Sequence, residues 1–284
     1  MLKIIELSSW SEFEKIIKEE LLEETQEMRN GYYFYRGHSD ATWQLETTLE
    51  RYIGQNITVD NYYRLIARIQ AELETFTDRK WELPSIREYV SDLTPPLFVR
   101  DSEVHTYMGY LRHFGFPSPL LDRTYSPFVA AYFAFRDVAS KAKSIAIYQF
   151  VAKGELPTIR ISETTQIYPI YASSQKNKRH YLQQSVYTVC LRKTNESIYY
   201  ASHEDPYVVG TGEDTDPYGE DLIKFIIPSS ERITALHSLD AYNINAYSLI
   251  GTEESLLETL FLRDYKMRLI AKRIFPDVDE NKLS

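Results

Sequence analysis

The first residues in the chain that could bind a ligand are Tyr35, Arg36, Gly37 and His38, which close a run of aromatic residues. The guanidinium of an arginine is planar and offers five N–H donors, which suits a phosphate or a carboxylate. A glycine beside it lets a ligand approach the backbone. The alternative is an arginine in a structural ion pair, followed by a glycine that makes a turn. We predict that these four residues bind a cofactor and that Arg36 is also catalytic.

A second group of polar side chains lies between a short apolar strand and an almost continuously apolar helix: Asp122, Thr124, Ser126 and Tyr132. Ser126 is placed to cap that helix, and Pro127 suits its first position. The free N–H groups and the positive end of a helix dipole make such a junction an anion site. Alternatively, Ser126 is only a cap, and Asp122 pairs with Arg36 or Arg123. We predict catalytic hydroxyls at Thr124 and Ser126, and cofactor binding at Asp122 and Tyr132.

A third group consists of Gln183, Gln184 and Ser185, which follow Arg179 and His180 and precede an alternating, strand-like run. A glutamine side chain both donates and accepts hydrogen bonds, so it can orient a ligand. The alternative is a solvated strand edge. We predict that Gln184 belongs to the site.

These stretches together resemble the FRG-domain family. The resemblance rests on an aromatic-Arg-Gly opening followed by Trp-x-Leu, and on His-x-Gly-x-Pro before a Leu-Leu-Asp-x-Thr-x-Ser-Pro helix that ends in Tyr-Phe-Ala. It continues with an arginine before Gln-x-Ser-x-aromatic and with the closing segment 239–250, and it spans about residues 32–260. The chain departs from the family at Pro117-Ser-Pro119, where Pro-Thr-Arg is common, and at Arg123, where an aromatic residue is usual. The resemblance implies a bacterial domain that is often associated with defence systems or mobile elements.

A more distant likeness concerns ADP-ribosyltransferases of the Arg-Ser-Glu type, because the order Arg36, then Thr124 or Ser126, then Gln184 is the same. It implies an NAD or nucleotide ligand and an ADP-ribosyltransferase-like, NAD-consuming toxin or phage-defence effector with a protein or RNA target. No glutamate occupies the third motif, and a glutamine cannot act as a general base. The alternatives are a non-catalytic sensor module that binds a ligand or a protein, and an RNA-directed nuclease.

The composition limits the functions and locations that the chain can have. The net charge of −9 over 284 residues argues against a protein whose main function is to bind the phosphate backbone of nucleic acids. The one cysteine, Cys190, excludes an internal disulfide and fits a cytoplasmic location. We expect no membrane span, because no run of about 18 apolar residues occurs. No metal is expected, because the six histidines lack the spacing of zinc motifs.

The periodicity predicts an α+β fold with a central mixed or split antiparallel sheet flanked by helices, and the likeness implies an ADP-ribosyltransferase-like arrangement. Helices are predicted at 9–29, 61–77, 86–90, 102–113, 127–135, 229–239 and 256–275. Strands are predicted at 32–35, 144–151, 158–161, 184–191 and 223–227, with a turn at 36–40 and a surface loop at 203–220. We predict a single domain, 1–284, in which an N-terminal helix (1–30) and a C-terminal helix (251–284) flank a core (31–250).

Overall fold

The computed structural model describes residues 2–22, 31–54, 57–91, 102–137, 140–153, 165–170, 178–195, 197–208 and 221–274. Over these residues the fold is α+β, as predicted: one mixed, mostly antiparallel sheet carries helices. Its strands are β1 (Leu2–Glu6), β2 (Gly31–His38), β3 (Leu121–Thr124), β4 (Ser144–Lys153), β5 (Gln166–Ile170), β6 (Ser185–Thr194), β7 (Ser197–Tyr200) and β8 (Asp221–Pro228).

The helices before β4 are α1 (Trp10–Leu22), α2 (Thr48–Ile53), α3 (Val59–Arg68), α4 (Gln70–Thr77), α5 (Ile86–Ser91), α6 (Glu103–His113) and α7 (Pro127–Arg136). The later ones are α8 (Lys178–Leu182), α9 (Asp205–Val208), α10 (Arg232–Ala241), α11 (Ala246–Ile250) and α12 (Glu253–Ile274). None of the helices in these ranges combines the length and the hydrophobicity that crossing a bilayer requires.

The strands run in the order β1-β8-β4-β2-β3-β6-β5, and β7 also pairs with β6. Every pairing is antiparallel except that of β1 with β8. The contact between β2 and β3 is short, because Tyr35 opposite Thr124 is its single register pair. Thr124 in turn lies opposite Ser185 of β6. These three side chains therefore form a row on one face of the sheet.

Two separate hydrophobic clusters cover that face. The first packs α1, α7, α10 and α11 against β4, β8 and Tyr35 of β2. The second packs α3, α5 and α6 against β5, β6 and β7. Loop residues including Ala41, Leu45 and Ala201 cover the opposite face in a third cluster. A crevice between the first two clusters lies over β2, β3 and β6.

Helix α7 begins as the sequence predicts. The Ser126 hydroxyl accepts the N–H of Val129 at 3.2 Å, and Pro127 is the first helical residue. The helix lies directly on β2: a Cβ built at Gly37 would be 2.0 Å from the carbonyl oxygen of Ala130. Gly37 therefore permits close packing of a helix on a strand.

Some predicted elements are wrong or differ in extent. Arg36, Gly37 and His38 lie in β2, which pairs with β4 as far as His38 opposite Ala146, and not in a turn. The glycine that suggested a turn is needed for α7. The helix predicted at 61–77 is two helices that meet at Ile69. Strands β1, β5 and β7 were not predicted; the strand predicted at 158–161 lies outside the described residues.

Candidate functional site

A cavity of about 320 Å³ lies in the crevice between the first two clusters. This volume is within the range of about 300–1,000 Å³ for small-molecule sites. Its walls come from β2, β3, β6, α6, α7, α8 and the residues after α8. The lining residues are Tyr35, Arg36, Gly37, His113, Asp122, Arg123, Thr124, Val129, Ala130, Phe133, Arg179, His180, Gln183, Ser185 and Tyr187. The cavity thus brings together residues of all three predicted motifs.

Arg36 lies where β2 and β3 separate. Its Nη1 donates to the backbone carbonyl of Asp122 at 2.7 Å and lies 3.8 Å from that residue's carboxylate. Its Nε donates to Nε2 of His38 at 2.9 Å. Burial lowers the pKa of Arg36 to about 10, against the charge of Asp122, which raises it. The guanidinium is therefore a cation at neutral pH, and 17% of the side chain remains accessible.

Asp122 is held mainly by Arg112, which sequence reasoning missed. Nε of Arg112 donates to the carboxylate at 3.0 Å, Nη2 donates to the same oxygen, and Nη1 donates to Thr48 at 2.8 Å. Burial by itself raises the pKa of Asp122, but the charge and hydrogen bond of Arg112 and the charge of Arg36 outweigh it, so the pKa is lowered. Asp122 is an ionised carboxylate with 46% of its side chain exposed.

The two hydroxyls of the second motif have different positions. Thr124 lines the cavity; its Oγ1 donates to the carbonyl of Gln183 at 2.7 Å and accepts the N–H of Ser126 at 3.1 Å. Ser126 caps α7 and is not among the lining residues. Thr124 therefore links the second motif to the third, whereas Ser126 has the structural role that the sequence left open.

The two glutamines of the third motif also differ in position. Gln183 lines the cavity, and its Nε2 donates to the carbonyl of Leu249 at 3.2 Å. Gln184 is exposed, has φ +47° and lies off the cavity, while its carbonyl accepts the N–H of Tyr125. Ser185, opposite Thr124, continues the cavity wall. The third motif thus contributes Gln183 and Ser185 to the wall.

His38 and Tyr132, both predicted to bind the cofactor, do not line the cavity. His38 is buried beneath Arg36, and burial, together with that cation, lowers the pKa of His38 to about 3. The hydroxyl of Tyr132 donates to Glu258 at 3.2 Å, and Glu258 also binds Arg136 at 2.9 Å. These contacts fasten α7 to α12, which is a structural role.

Three basic residues on the cavity wall were not predicted as site residues: His113, Arg179 and His180. His113 ends α6 and opens the His-x-Gly-x-Pro stretch, and the other two belong to α8. The ring of His180 stacks on that of Tyr187, with 5.3 Å between centroids and 30° between planes. The signal in the sequence was their place directly before the second and third motifs.

The charge of the cavity is opposite to that of the whole chain. Two arginines, Arg36 and Arg179, bring cations to the wall, whereas Arg123, also on the wall, is only 2% exposed. Asp122 is the one carboxylate among the described lining residues. The chain as a whole has a net charge of −9. Such a local excess of cations suits an anionic ligand. In the described part of the chain, no three or more histidine, cysteine, aspartate or glutamate side chains are grouped to hold a metal ion.

The family comparison agrees with the first two motifs. The model of the FRG domain matches residues 31–143, a range that includes β2, β3 and α7. The chain therefore contains an FRG domain. The third motif and the closing segment lie beyond the matched residues. Comparisons with curated proteins and with solved structures give no significant match.

Proposed function

We propose that the cavity binds a nucleotide-type ligand, with NAD as the specific candidate, and that Arg36 binds its phosphate. One observation carries this proposal: Arg36, Thr124 and Gln183, which come from three distant parts of the chain, line one cavity. The surplus of arginines there favours a phosphate over a neutral ligand.

The other walls suit the remaining parts of a nucleotide. Tyr187 and Phe133 offer aromatic surface for a base or a nicotinamide ring. Thr124, Ser185 and Gln183 offer polar groups that suit the hydroxyls of a ribose. The pairing of Arg36 with Asp122 does not remove its capacity to bind a phosphate, because a guanidinium has five N–H donors.

The ADP-ribosyltransferase-like function is the finer form of this proposal. Its expected catalytic residues were Arg36, Thr124, Ser126 and Gln184, of which Arg36 and Thr124 lie on the cavity. Gln183, the neighbour of Gln184 that lines the cavity, is proposed as the glutamine of the site. NAD consumption by this site therefore rests on Arg36 and Thr124, with Gln183 as an orienting group.

A titration series tests the binding proposal. Calorimetry of the purified chain would use NAD, ADP-ribose and adenosine at two salt concentrations. We expect NAD and ADP-ribose to bind and adenosine to bind at least about tenfold more weakly, since hydrogen bonds to a charged group contribute about 1.5–3 kcal/mol. Higher salt should weaken the binding of the charged ligands. Equal affinity for all three, or none, contradicts the proposal.

We also propose that the domain acts as a bacterial defence or toxin effector, which is what the resemblance to the FRG family implies. Expression of the wild-type chain should slow bacterial growth and lower cellular NAD, whereas Arg36→Met should do neither. Arg64→Met is the matched control, because Arg64 is exposed and forms a surface pair with Asp60 on its own helix. Equal growth with all three chains contradicts an effector role.

A protein-binding module is the second candidate, and the surface of α12 favours it. Leu257, Phe261 and Tyr265 recur every four residues and are 61%, 68% and 39% exposed. Exposed apolar rows of this kind often mark contact surfaces. A binding partner captured by the wild-type chain and by Arg36→Met, but not by Phe261→Ser, would establish this function. Retained capture by Phe261→Ser would exclude this row as the contact surface.

A further inference from the structure

Hydrolysis of NAD needs a group that takes a proton from water, and the residues considered so far do not provide one. Gln183 and Gln184 cannot act as bases. Asp122 is ionised, but Arg112 and Arg36 lower its pKa, so it is a weak base. A base must therefore come from another residue on the cavity.

The six histidines of the chain differ sharply in their surroundings. His38 accepts a hydrogen bond from Arg36, and His203 shares one with Thr188 at 3.2 Å; both are buried. His105 and His237 lie away from the cavity. His113 and His180 line the cavity, and no side chain of the described residues hydrogen-bonds to either imidazole.

His180 has the more fixed position of the two. Its ring stacks on Tyr187, whereas His113 is exposed at the end of α6. The titratable groups around His180 are Asp122, His113, Arg179 and Tyr187. Helix α11 packs on α8 and carries the titratable Tyr247.

We infer that His180 is the general base that activates water for the cleavage of NAD in this cavity, an inference that rests on the proposed function. Burial and the neighbouring His113 lower the pKa of His180, against the charge of Asp122. The imidazole is therefore neutral at pH 7, as a base requires.

The step balances without a further reactant. The oxygen of water bonds to the anomeric carbon of the ribose, and the bond from that carbon to the nicotinamide nitrogen breaks. The electron pair of that bond stays with nicotinamide, which leaves as a neutral molecule. His180 takes the proton of water and releases it to solvent, and the second product is ADP-ribose. The ionised carboxylate of Asp122 favours the positive charge that develops on the ribose.

Nicotinamide release by His180→Gln, measured across pH 4.5–8.5, tests this inference. The wild-type rate should rise with pH through the lowered pKa of His180 and then become constant. In the variant, kcat should fall by about 10²–10⁴-fold and lose this rise, because general base catalysis contributes about that factor. The Kd for NAD should stay within about threefold. His237→Gln is the control, because His237 lies on α10 away from the cavity.

A second variant guards against a merely structural effect. Added imidazole should restore part of the rate of nicotinamide release by His180→Ala but should not raise the rate of the wild type. A His180→Gln rate and pH profile equal to those of the wild type overturn the inference. So does a wild-type chain that binds NAD without releasing nicotinamide, although the binding proposal then stands. A chain that does not bind NAD overturns both.

Discussion

The central strands carry polar side chains on both faces, and the two groups have opposite environments. On the cavity face, the side chain of Asp122 is 46% exposed. On the other face, Arg123 is 2% exposed, with its Nε donating to Thr188 at 2.9 Å and its guanidinium 5.1 Å from the ring of Phe150. Although Arg123 is among the residues of the cavity wall, its guanidinium contacts Thr188 and Phe150.

The cover over each face explains the difference. Loops that carry Leu45 and Ala201 pack directly on the far face, so the polar residues there are enclosed with their partners. On the near face, the two helix clusters leave a crevice between them. Whether a polar residue of the sheet can meet a ligand therefore depends on the covering elements and not on the strand that bears it.

The largest loss of stability should come from adding a side chain where β2 and α7 are in close contact. In Gly37→Ala the new Cβ would meet the carbonyl oxygen of Ala130 at 2.0 Å and the nitrogen of Ala134 at 2.7 Å. The clash is with backbone atoms, which can move apart only if α7 shifts, so we expect a loss of about 3 kcal/mol in the free energy of unfolding. Urea denaturation measures it. Gly115→Ala, at φ +85° but in open space, should lose only about 1 kcal/mol.

A smaller loss should follow removal of the cation that holds Asp122. Arg112→Met leaves Asp122 with its longer contact to Arg36 and removes one of the two donors to the Thr48 hydroxyl, the other being the N–H of Ser118. Because Asp122 is partly exposed, we expect a loss of about 2 kcal/mol at pH 7. Arg64→Met, which breaks an exposed pair, should lose less than about 0.5 kcal/mol. Equal losses would show that the Arg112 pair is no stronger than a surface pair.

Because His38 is buried, we predict that the stability of the protein depends on pH. The folded pKa of His38 is about 3, below its ordinary value, so the unfolded chain binds its proton first as pH falls. Stability from this group is complete above about pH 6.5 and decreases by up to about 1.4 kcal/mol per pH unit below it. His38→Asn should flatten this slope in urea titrations between pH 6 and 4.5. An unchanged slope would mean that His38 is protonated in the fold.

The smallest effect should come from Tyr132→Phe. The variant loses the hydrogen bond to Glu258, which we expect to cost about 1 kcal/mol, and keeps the ring in place. Because Tyr132 is off the cavity, NAD affinity should not change. Tyr181→Phe, at an exposed ring, serves as the control in the same thermal and binding assays. A loss of NAD affinity in Tyr132→Phe but not in Tyr181→Phe would show that Tyr132 contributes to NAD binding.

Local signals allowed a good part of the fold to be predicted. The cap and proline that begin α7 act within four residues, so their geometry does not depend on the rest of the chain. The same holds for the alternating residues of β6. Gly37 shows the limit, because its role depends on a backbone contact with α7, almost a hundred residues later.

Prediction of the site was limited in the same way. Arg36, Asp122 and Thr124, which the motifs carry, line the cavity, whereas Gln184 does not and its neighbour Gln183 does. Adjacent residues at a strand end face different ways, and the positive φ of Gln184 is set by the fold. The pairing of Arg112 with Asp122 has no spacing that marks it in the sequence.

The most direct test of the central claim is the Kd for NAD of the wild type, Arg36→Lys and Arg36→Met, measured by calorimetry with melting temperatures alongside. We predict that Arg36→Met weakens binding by at least about tenfold, because a charge-assisted hydrogen bond contributes about 1.5–3 kcal/mol. Arg36→Lys should lie between the other two, since it keeps the charge but loses the planar fork. An unchanged Kd in a folded Arg36→Met chain would contradict the account.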